Sequence, residues 1–249
     1  MIEIADVGVR FGGVHALSGV GFTVGAGETC GVIGPNGAGK TTLFDVITGL
    51  RRPTTGTVRL DGRDVTAAGA VQRARLGVRR TFQRPQVFGR LTVLDNVLAA
   101  VEWRGGGGGL AADLVGLRAR RRLADRRREH ARAVLDRCGI ADLADRYAAD
   151  LPIGRRRMVE LARTLADEPR VLLLDEPTSG LDEDQAARFG EVVAGLEATV
   201  LLVEHDVGFV MAACERVVVL DLGKVIADGP PARVREDPAV RTAYLGTSA

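Results

Sequence analysis

Lysine is almost missing from this chain: Lys40 and Lys224 stand alone among 34 basic residues, and arginine supplies the rest. Such a skew follows genomic base composition and carries no function of its own, yet it leaves one of the two lysines in the most telling stretch of the sequence. Cysteine is scarce as well. Cys30, Cys138 and Cys214 are isolated, with no C-x-x-C spacing, so neither a disulfide framework nor a cysteine metal site is indicated. No apolar run approaches the length of a membrane span. Met1-Ile2-Glu3-Ile4-Ala5-Asp6 has neither the basic nor the apolar region of a signal peptide. The expected compartment is the cytoplasm. A net charge of +2 gives no global reason to expect nucleic acid. There is no internal repeat and no sustained heptad pattern. With 249 residues, 46% of them hydrophobic and 27% charged, the chain can bury a substantial core as one large or two intimately joined domains.

What the chain does have is Gly34-Pro35-Asn36-Gly37-Ala38-Gly39-Lys40-Thr41-Thr42, which fits the phosphate-binding pattern G-x-x-x-x-G-K-[ST]. Cys30-Gly31-Val32-Ile33 before it reads as a buried strand, and Thr41 to Ile47 reads as a helix start. Glycines let such a turn wrap with its backbone N–H groups inward, forming an anion nest at a helix N-terminus. Lys40 is placed to reach the β- and γ-phosphates of a nucleotide, and Thr41 to offer its hydroxyl to Mg²⁺.

The surrounding organisation is a βα pattern with an interruption. Val7 to Phe11 and Val20 to Val24 alternate like half-buried strands, and Thr57 to Leu60 followed by Asp61-Gly62 reads as a strand ending in a hairpin turn. From about Arg84 to Glu160 the periodicity becomes helical, at Val93, Leu94, Val97, Leu98 and Val101 and later at Val134, Leu135 and Ile140. The run Gly105 to Gly109 reads as a flexible connection. Val171 to Leu174, Thr199 to Val203 and Val217 to Leu220 are unbroken apolar runs, as in a parallel sheet covered on both faces.

Two further landmarks carry chemistry. Asp175-Glu176 closes the apolar run at Val171. Alone it reads as an acidic strand end before a turn; beside a phosphate loop, the aspartate suits Mg²⁺ and the glutamate suits activation of an attacking water. Leu151-Pro152-Ile153-Gly154-Arg155-Arg156-Arg157 precedes an amphipathic helix from Met158 to Ala166, which reads either as an ordinary capped helix or as a second anion-favouring N-terminus.

In order along the chain stand Phe11, the loop Gly34 to Thr42, Gln83 in Thr81-Phe82-Gln83, the turn Leu151 to Arg157, Asp175-Glu176, Ser179-Gly180-Leu181-Asp182 and Glu204-His205-Asp206. This series resembles the ATP-binding subunit of ABC transporters over essentially the whole chain. Arg80-Thr81-Phe82-Gln83, Val87 to Val97, Leu151-Pro152-Ile153-Gly154 and Ala243-Tyr244-Leu245-Gly246 resemble the subunits of branched-chain (hydrophobic) amino acid importers.

The resemblance implies an α/β P-loop ABC ATPase fold. A RecA-like parallel-sheet core and an N-terminal antiparallel β portion would occupy 1–83 and 161–249, with an inserted α-helical subdomain at 84–160, all forming one ATPase domain. It implies that Phe11 stacks on adenine. Gly34, Pro35, Asn36, Gly37, Ala38, Gly39, Lys40, Thr41 and Thr42 would cradle the phosphates, with Thr41, Gln83 and Asp175 at Mg²⁺. Glu176 would be the catalytic base, Gln83 would adjoin the attacking water, and His205 would donate to the γ-phosphate; as a lone histidine after a strand it reads as a surface residue, but its place two strands after Asp175 favours the functional role. Gly154 would contact ATP held by an opposite protomer, and Asp182 would lie on the loop communicating between the two.

The implied cofactors are ATP and Mg²⁺. The implied partners are transmembrane permease subunits, a second ATPase subunit of the same or a related kind, and indirectly an extracytoplasmic solute-binding protein, with no nucleic acid. The implied place is the inner face of the membrane. The apolar positions Val87, Phe88, Leu91 and Val93 directly follow Gln83 and predict a groove for a permease helix. Other classes that share a phosphate loop fit less well: DNA-repair and chromosome ATPases carry long coiled coils, and a phosphotransferase needs an acceptor pocket.

The chain departs from the family at one turn. Its usual Leu-Ser-Gly-Gly-Gln is here Leu151-Pro152-Ile153-Gly154-Arg155, and proline has neither hydroxyl nor N–H to offer a phosphate. Arg118 to Arg128, with Asp125 among its arginines, reads first as a solvated helix, then as a contact to permease or anionic lipid, and least as a nucleic-acid site.

Overall fold

β-Bulges explain why the first strands run longer than their alternation suggests. In the computed structural model, which describes residues 1–104 and 117–245, β1 (Ile2–Phe11) and β2 (Val14–Val24) pair antiparallel with Ile2 opposite Val24 and Phe11 opposite Val14. Register shifts between Ile4 and Val7, between Val7 and Val9 and between Val9 and Arg10 break the two-residue period within β1, so Val7 to Phe11 loses its alternation in burial, whereas Ile2 to Ala5 and Val20 to Val24 keep it. β4 (Thr55–Leu60) lies on the other side of β1, with Ile4 opposite Val58, and the short β5 (Arg63–Asp64) returns through the turn at Asp61-Gly62. This antiparallel sheet has the order β2-β1-β4-β5.

A second sheet runs β10-β9-β3-β8-β7-β6. Its central strands β3 (Thr29–Ile33), β7 (Val171–Asp175) and β8 (Thr199–Val203) are buried along their whole length. β6 (Val78–Arg80), β7, β8, β3 and β9 (Arg216–Asp221) are mutually parallel, and β10 (Lys224–Gly229) returns antiparallel on β9. A parallel sheet buried on both faces accounts for the unbroken Val and Leu runs. The ends of β3, β7 and β8 are where Gly34, Glu176 and Glu204 begin.

α1 (Lys40–Thr48) follows β3 directly, and α2 (Ala70–Arg75) supplies Arg73, a side chain with no exposed surface. Its guanidinium donates to the carbonyls of Val46 (2.6 Å) and Ile47 (2.8 Å) in the last turn of α1, and to those of Val65 (2.7 Å) and Ala68 (3.0 Å). A cation here satisfies orphan carbonyls at the negative end of the helix. Burial lowers its pKa to about 10, and Asp64 opposes that shift.

The chain packs into two units. The first comprises Met1–Arg80, Arg170–Ser179 and Val193–Ala249, and holds both sheets. The second comprises Thr81–Pro169 and Gly180–Val192 and is built from α3 (Val93–Arg104), α4 (Leu117–Arg137), α5 (Ile153–Ala166) and most of α6 (Glu183–Ala194). Val93, Val97, Leu135, Ile140 and Leu161 form its buried interior. Val93 therefore belongs to the core rather than to an open groove. Asn96, fully buried, accepts from the Phe88 N–H (2.8 Å) and donates to the Phe88 and Thr92 carbonyls, so it fixes the loop that carries Phe88.

α5 begins at Ile153, five residues before the helix start expected at Met158. Pro152 sits at its N-cap with φ −56° and ψ 158°, and its fixed φ needs no glycine turn to enter the helix. Gly105 to Gly109 and Gly246 lie outside the described residues. On α4, Arg121, Arg122, Arg126 and Arg128 are exposed. The three cysteines are buried; burial raises all their pKa values, those of Cys138 and Cys214 to about 12.

Candidate functional site

The loop between β3 and α1 has the backbone its glycines permit. Gly39 caps α1 at φ 102°, and a Cβ there would meet the Ala16 carbonyl oxygen at 2.6 Å. Gly34 is still tighter, with Leu220 backbone in the way of any side chain. Gly37, at φ 81°, would point a Cβ into open space, so there the glycine is required by its backbone conformation and not by crowding. An L-residue pays ~1–2 kcal/mol to enter the left-handed region, so the glycine pattern is what makes this turn affordable.

Lys40 is buried, and its Nζ donates to the carbonyls of Gly34 (2.5 Å) and Pro35 (3.1 Å), closing the loop on itself. Burial lowers the Lys40 pKa, while Glu176 and Asp175 act in the opposite direction. Asn36 and Thr41 are exposed at the mouth of the loop, and Thr42 is half-buried behind them.

Asp175 ends β7 almost fully buried. Glu176 then takes φ 47°, a left-handed conformation that a glutamate adopts only at a cost. Its N–H donates to the Val203 carbonyl (2.8 Å), which turns the chain sharply out of the sheet. The turn brings Oε1 of Glu176 to 2.8 Å from Nε2 of His205, two elements on in the sequence. Glu204 makes this juxtaposition rigid. Its Oε1 accepts from the Thr178 N–H and hydroxyl, each at 2.6 Å, and its Oε2 accepts from the His205 N–H at 3.0 Å. Glu204 was not among the expected site residues; the cue was its place directly before His205 at the end of an apolar strand.

Phe11 ends β1 with its ring 43% exposed, and the Arg51 guanidinium lies 4.1 Å from the ring centroid. The ring has a face that already accepts a planar partner, as stacking requires. Phe11, the loop from Gly34 to Thr42, Asp175, Glu176 and His205 all belong to the first unit.

Gln83, Gly154 and Asp182 belong to the second unit. Gln83 has an exposed side chain, and its carbonyl accepts from Nη2 of Arg157 at 2.5 Å. Gly154 is buried in the first turn of α5, where a Cβ would run into the Gln185 side chain and lie 3.1 Å from Leu181. Asp182 caps α6 through its Oδ1, which accepts from the Gln185 N–H at 2.8 Å. Glu160, buried on α5, accepts from the Gln86 N–H at 3.0 Å. Burial raises its pKa, and that bond opposes the rise.

The donor set suits a hard cation held jointly with phosphate oxygens. Thr41 and Asp175 are oxygen donors, and Mg²⁺ is characteristically bound by one or two such groups while water and phosphate complete its shell. Among the described residues no group of three or more His, Cys, Asp or Glu gathers as a self-sufficient metal site.

Known proteins resemble this chain along its length. The model described as "ABC transporter" matches residues 17–179, and that described as "Branched-chain amino acid ATP-binding cassette transporter" matches residues 224–249. The high-affinity branched-chain amino acid transport ATP-binding protein BraF of Pseudomonas aeruginosa is 38% identical over 250 residues, covering 99% of this chain and 98% of its own. The corresponding LivG protein of Salmonella typhimurium is 37% identical over the same shares. Among solved structures, the ADP conformation of an ATP-binding cassette of an ABC transporter superposes with a TM-score of 0.83 at 30% identity, covering 99% of this chain and 98% of its own.

Proposed function

The chain belongs to the ABC transporter family, and from that premise we propose that it is the ATP-hydrolysing subunit of an importer for branched-chain or other hydrophobic amino acids. The C-terminal match at residues 224–249, together with relatives whose names specify branched-chain amino acid transport, supports the solute class.

The observation that carries the hydrolytic reading is the 2.8 Å contact between Glu176 and His205, held in place by Glu204. Glu176 is a half-buried carboxylate beside a phosphate loop, placed to take a proton from an attacking water. His205 Nε2, 2.8 Å from Oε1 of Glu176, is read as the nitrogen that would donate to a γ-phosphate oxygen on leaving that contact. Lys40, Thr42 and the loop N–H groups bind the phosphates. Thr41 and Asp175 would hold Mg²⁺, which supplies charge neutralisation at the β- and γ-phosphates. Phe11 offers adenine its ring face. Gln83, with its carbonyl fixed by Arg157, is read as the residue that senses the metal and the water. Gly154 and Asp182 are read as facing a second cassette across an ATP sandwich.

Among the described residues no helix is long and apolar enough to cross a membrane. Relatives named as ATP-binding proteins of transport systems support permease partners, and we place this subunit at the inner face of the membrane. Phe88, half exposed and fixed by Asn96, supports a docking surface on the second unit; Arg163 lies over its ring at 4.5 Å.

Glu176→Gln tests the assignment. ATP binding should persist, hydrolysis should fall by about 10²–10⁴-fold as expected for loss of a general base, and an ATP-locked dimer should accumulate. Uptake of labelled leucine by cells carrying the variant with its permeases should stop. Unchanged turnover would remove Glu176 from its role.

A further inference from the structure

One buried cation outside the roles assigned above stands between two carboxylates. Arg80 is the last residue of β6, and its side chain is 7% exposed. Nη1 donates to Oδ1 of Asp45 at 2.6 Å, and Nη2 donates to Oδ2 of Asp175 at 2.7 Å. The guanidinium carbon lies 5.5 Å from the centroid of the Phe44 ring. Asp45 sits on α1, the helix that opens at Lys40, and Asp175 is the last residue of β7. A single planar group therefore spans the phosphate-loop helix and the acidic strand end.

The geometry points to a positioning role: we propose that Arg80 fixes the orientation of the Asp175 carboxylate relative to α1, so that the carboxylate is set in advance for Mg²⁺. This rests on the reading that Asp175 serves the metal. An aspartate's terminal torsion is broad and roughly two-fold, so an untethered carboxylate samples many planes. The charge-assisted bond from Nη2 restricts that freedom, and the fork that makes it is itself held by the second bond, from Nη1 to Asp45. One cation shared between two anions leaves the trio with a net negative charge, so Asp175 keeps its attraction for a metal. A lysine is a point donor on a flexible stem and cannot hold two carboxylates in a fixed plane. Groups that orient a metal ligand without touching the metal are commonly worth 10–100-fold in metal affinity.

The test compares the affinity of the full-length protein for a fluorescent ATP analogue in Mg²⁺ and in EDTA, and takes the ratio as the magnesium gain. Arg80→Ala should reduce that gain by about 10–100-fold while leaving the EDTA affinity within about twofold, the pattern expected of a group that orients a metal ligand. Arg80→Lys should lose most of the gain too. Asp45→Asn, which leaves the Arg80–Asp175 pair in place, should lose less, in the same direction, and serves if Arg80→Ala fails to fold. Arg80→Lys with the full gain would show that charge alone matters and would overturn the fork. Lowered melting temperature in Arg80→Ala and Asp45→Asn with an unchanged gain would reduce Arg80 to a structural brace and overturn the proposal. Asp175→Asn separates the two readings. If it keeps the gain, the magnesium reading falls and the inference with it; if it loses the gain while the Arg80 variants keep theirs, only the inference falls.

Discussion

Two helices in this protein open at places suited to an anion, and they are built by opposite means. α1 starts at Lys40 behind glycines at φ 152°, 81° and 102°, with a buried lysine closing the loop. α5 starts at Ile153 behind Pro152, with no side-chain cap and no left-handed glycine at the entry. There the bracing comes from arginine: Arg156 Nε donates to the Leu151 carbonyl (2.7 Å), and Arg157 donates to the Gln83 carbonyl (2.5 Å). The first start spends backbone freedom to wrap a ligand closely. The second fixes φ with proline and presents its first-turn N–H groups without a loop wrapped around them. The lesson is that a helix N-terminus can be specialised for enclosure or for presentation, and that the cap residue decides which.

Gly39→Ala breaks the first start and should have the largest effect. An L-residue at φ 102° carries strain of about 1–3 kcal/mol. The new Cβ would also sit 2.6 Å from the Ala16 carbonyl, a backbone atom that has no rotamer to yield. If binding must restore the loop against that strain, ATP affinity falls by about 10–100-fold, each 1.4 kcal/mol being tenfold. Equilibrium titration with ATP checks this. Wild-type affinity would mean that the loop wraps less tightly than its glycines indicate. The matching change at Gly154 sharpens the contrast, because its obstruction is the far end of the Gln185 side chain, which can swing away.

Phe88→Asp comes next and acts only on the second unit. The ring is 50% exposed, so an aspartate there costs little folding energy. ATP binding by the isolated chain should remain as in the wild type, whereas co-sedimentation with permease-containing membranes and amino acid uptake should be lost. Retained co-sedimentation and uptake would place the permease contact on another surface.

Much of this was legible in the sequence, and the parts that were not share a cause. The phosphate loop announces itself because its chemistry is local: glycines, lysine and threonine at fixed spacing between a strand and a helix. The buried strands β3, β7 and β8 announce themselves by composition. Arg80 and Asp175 are 95 residues apart, and nothing at either position names the other. Arginine is so abundant here that Arg73, which caps α1, and Arg80, which ties it to β7, look no different in sequence from the solvated arginines of α4. Glu204 was hidden in the same way, since its partner Thr178 lies 26 residues upstream. The early start of α5 was missed because a proline cap leaves no Ser, Thr or Asp signal.

Pro152→Ser gives α5 the conventional cap and should have the smallest effect, for reasons the magnitudes make plain. Pro152 holds φ −56° and ψ 158°, values a serine adopts freely, so no strain is introduced. A serine hydroxyl accepting from the Gly154 or Arg155 N–H is worth about 1 kcal/mol to the helix. Losing proline's restriction of the unfolded chain costs about 0.4–1 kcal/mol. The two nearly cancel, so the melting temperature should move by no more than a few degrees. Turnover is the sharper readout. Removing a donor aimed at developing charge elsewhere costs about 10²–10³-fold, so if the missing hydroxyl limits this site, restoring it should recover a similar factor. We expect a rise of less than about tenfold, because a helix start already concentrates N–H groups and a positive dipole toward an anion. A gain of 10² or more in kcat would show that Pro152 throttles this ATPase and that presentation by the backbone alone falls short.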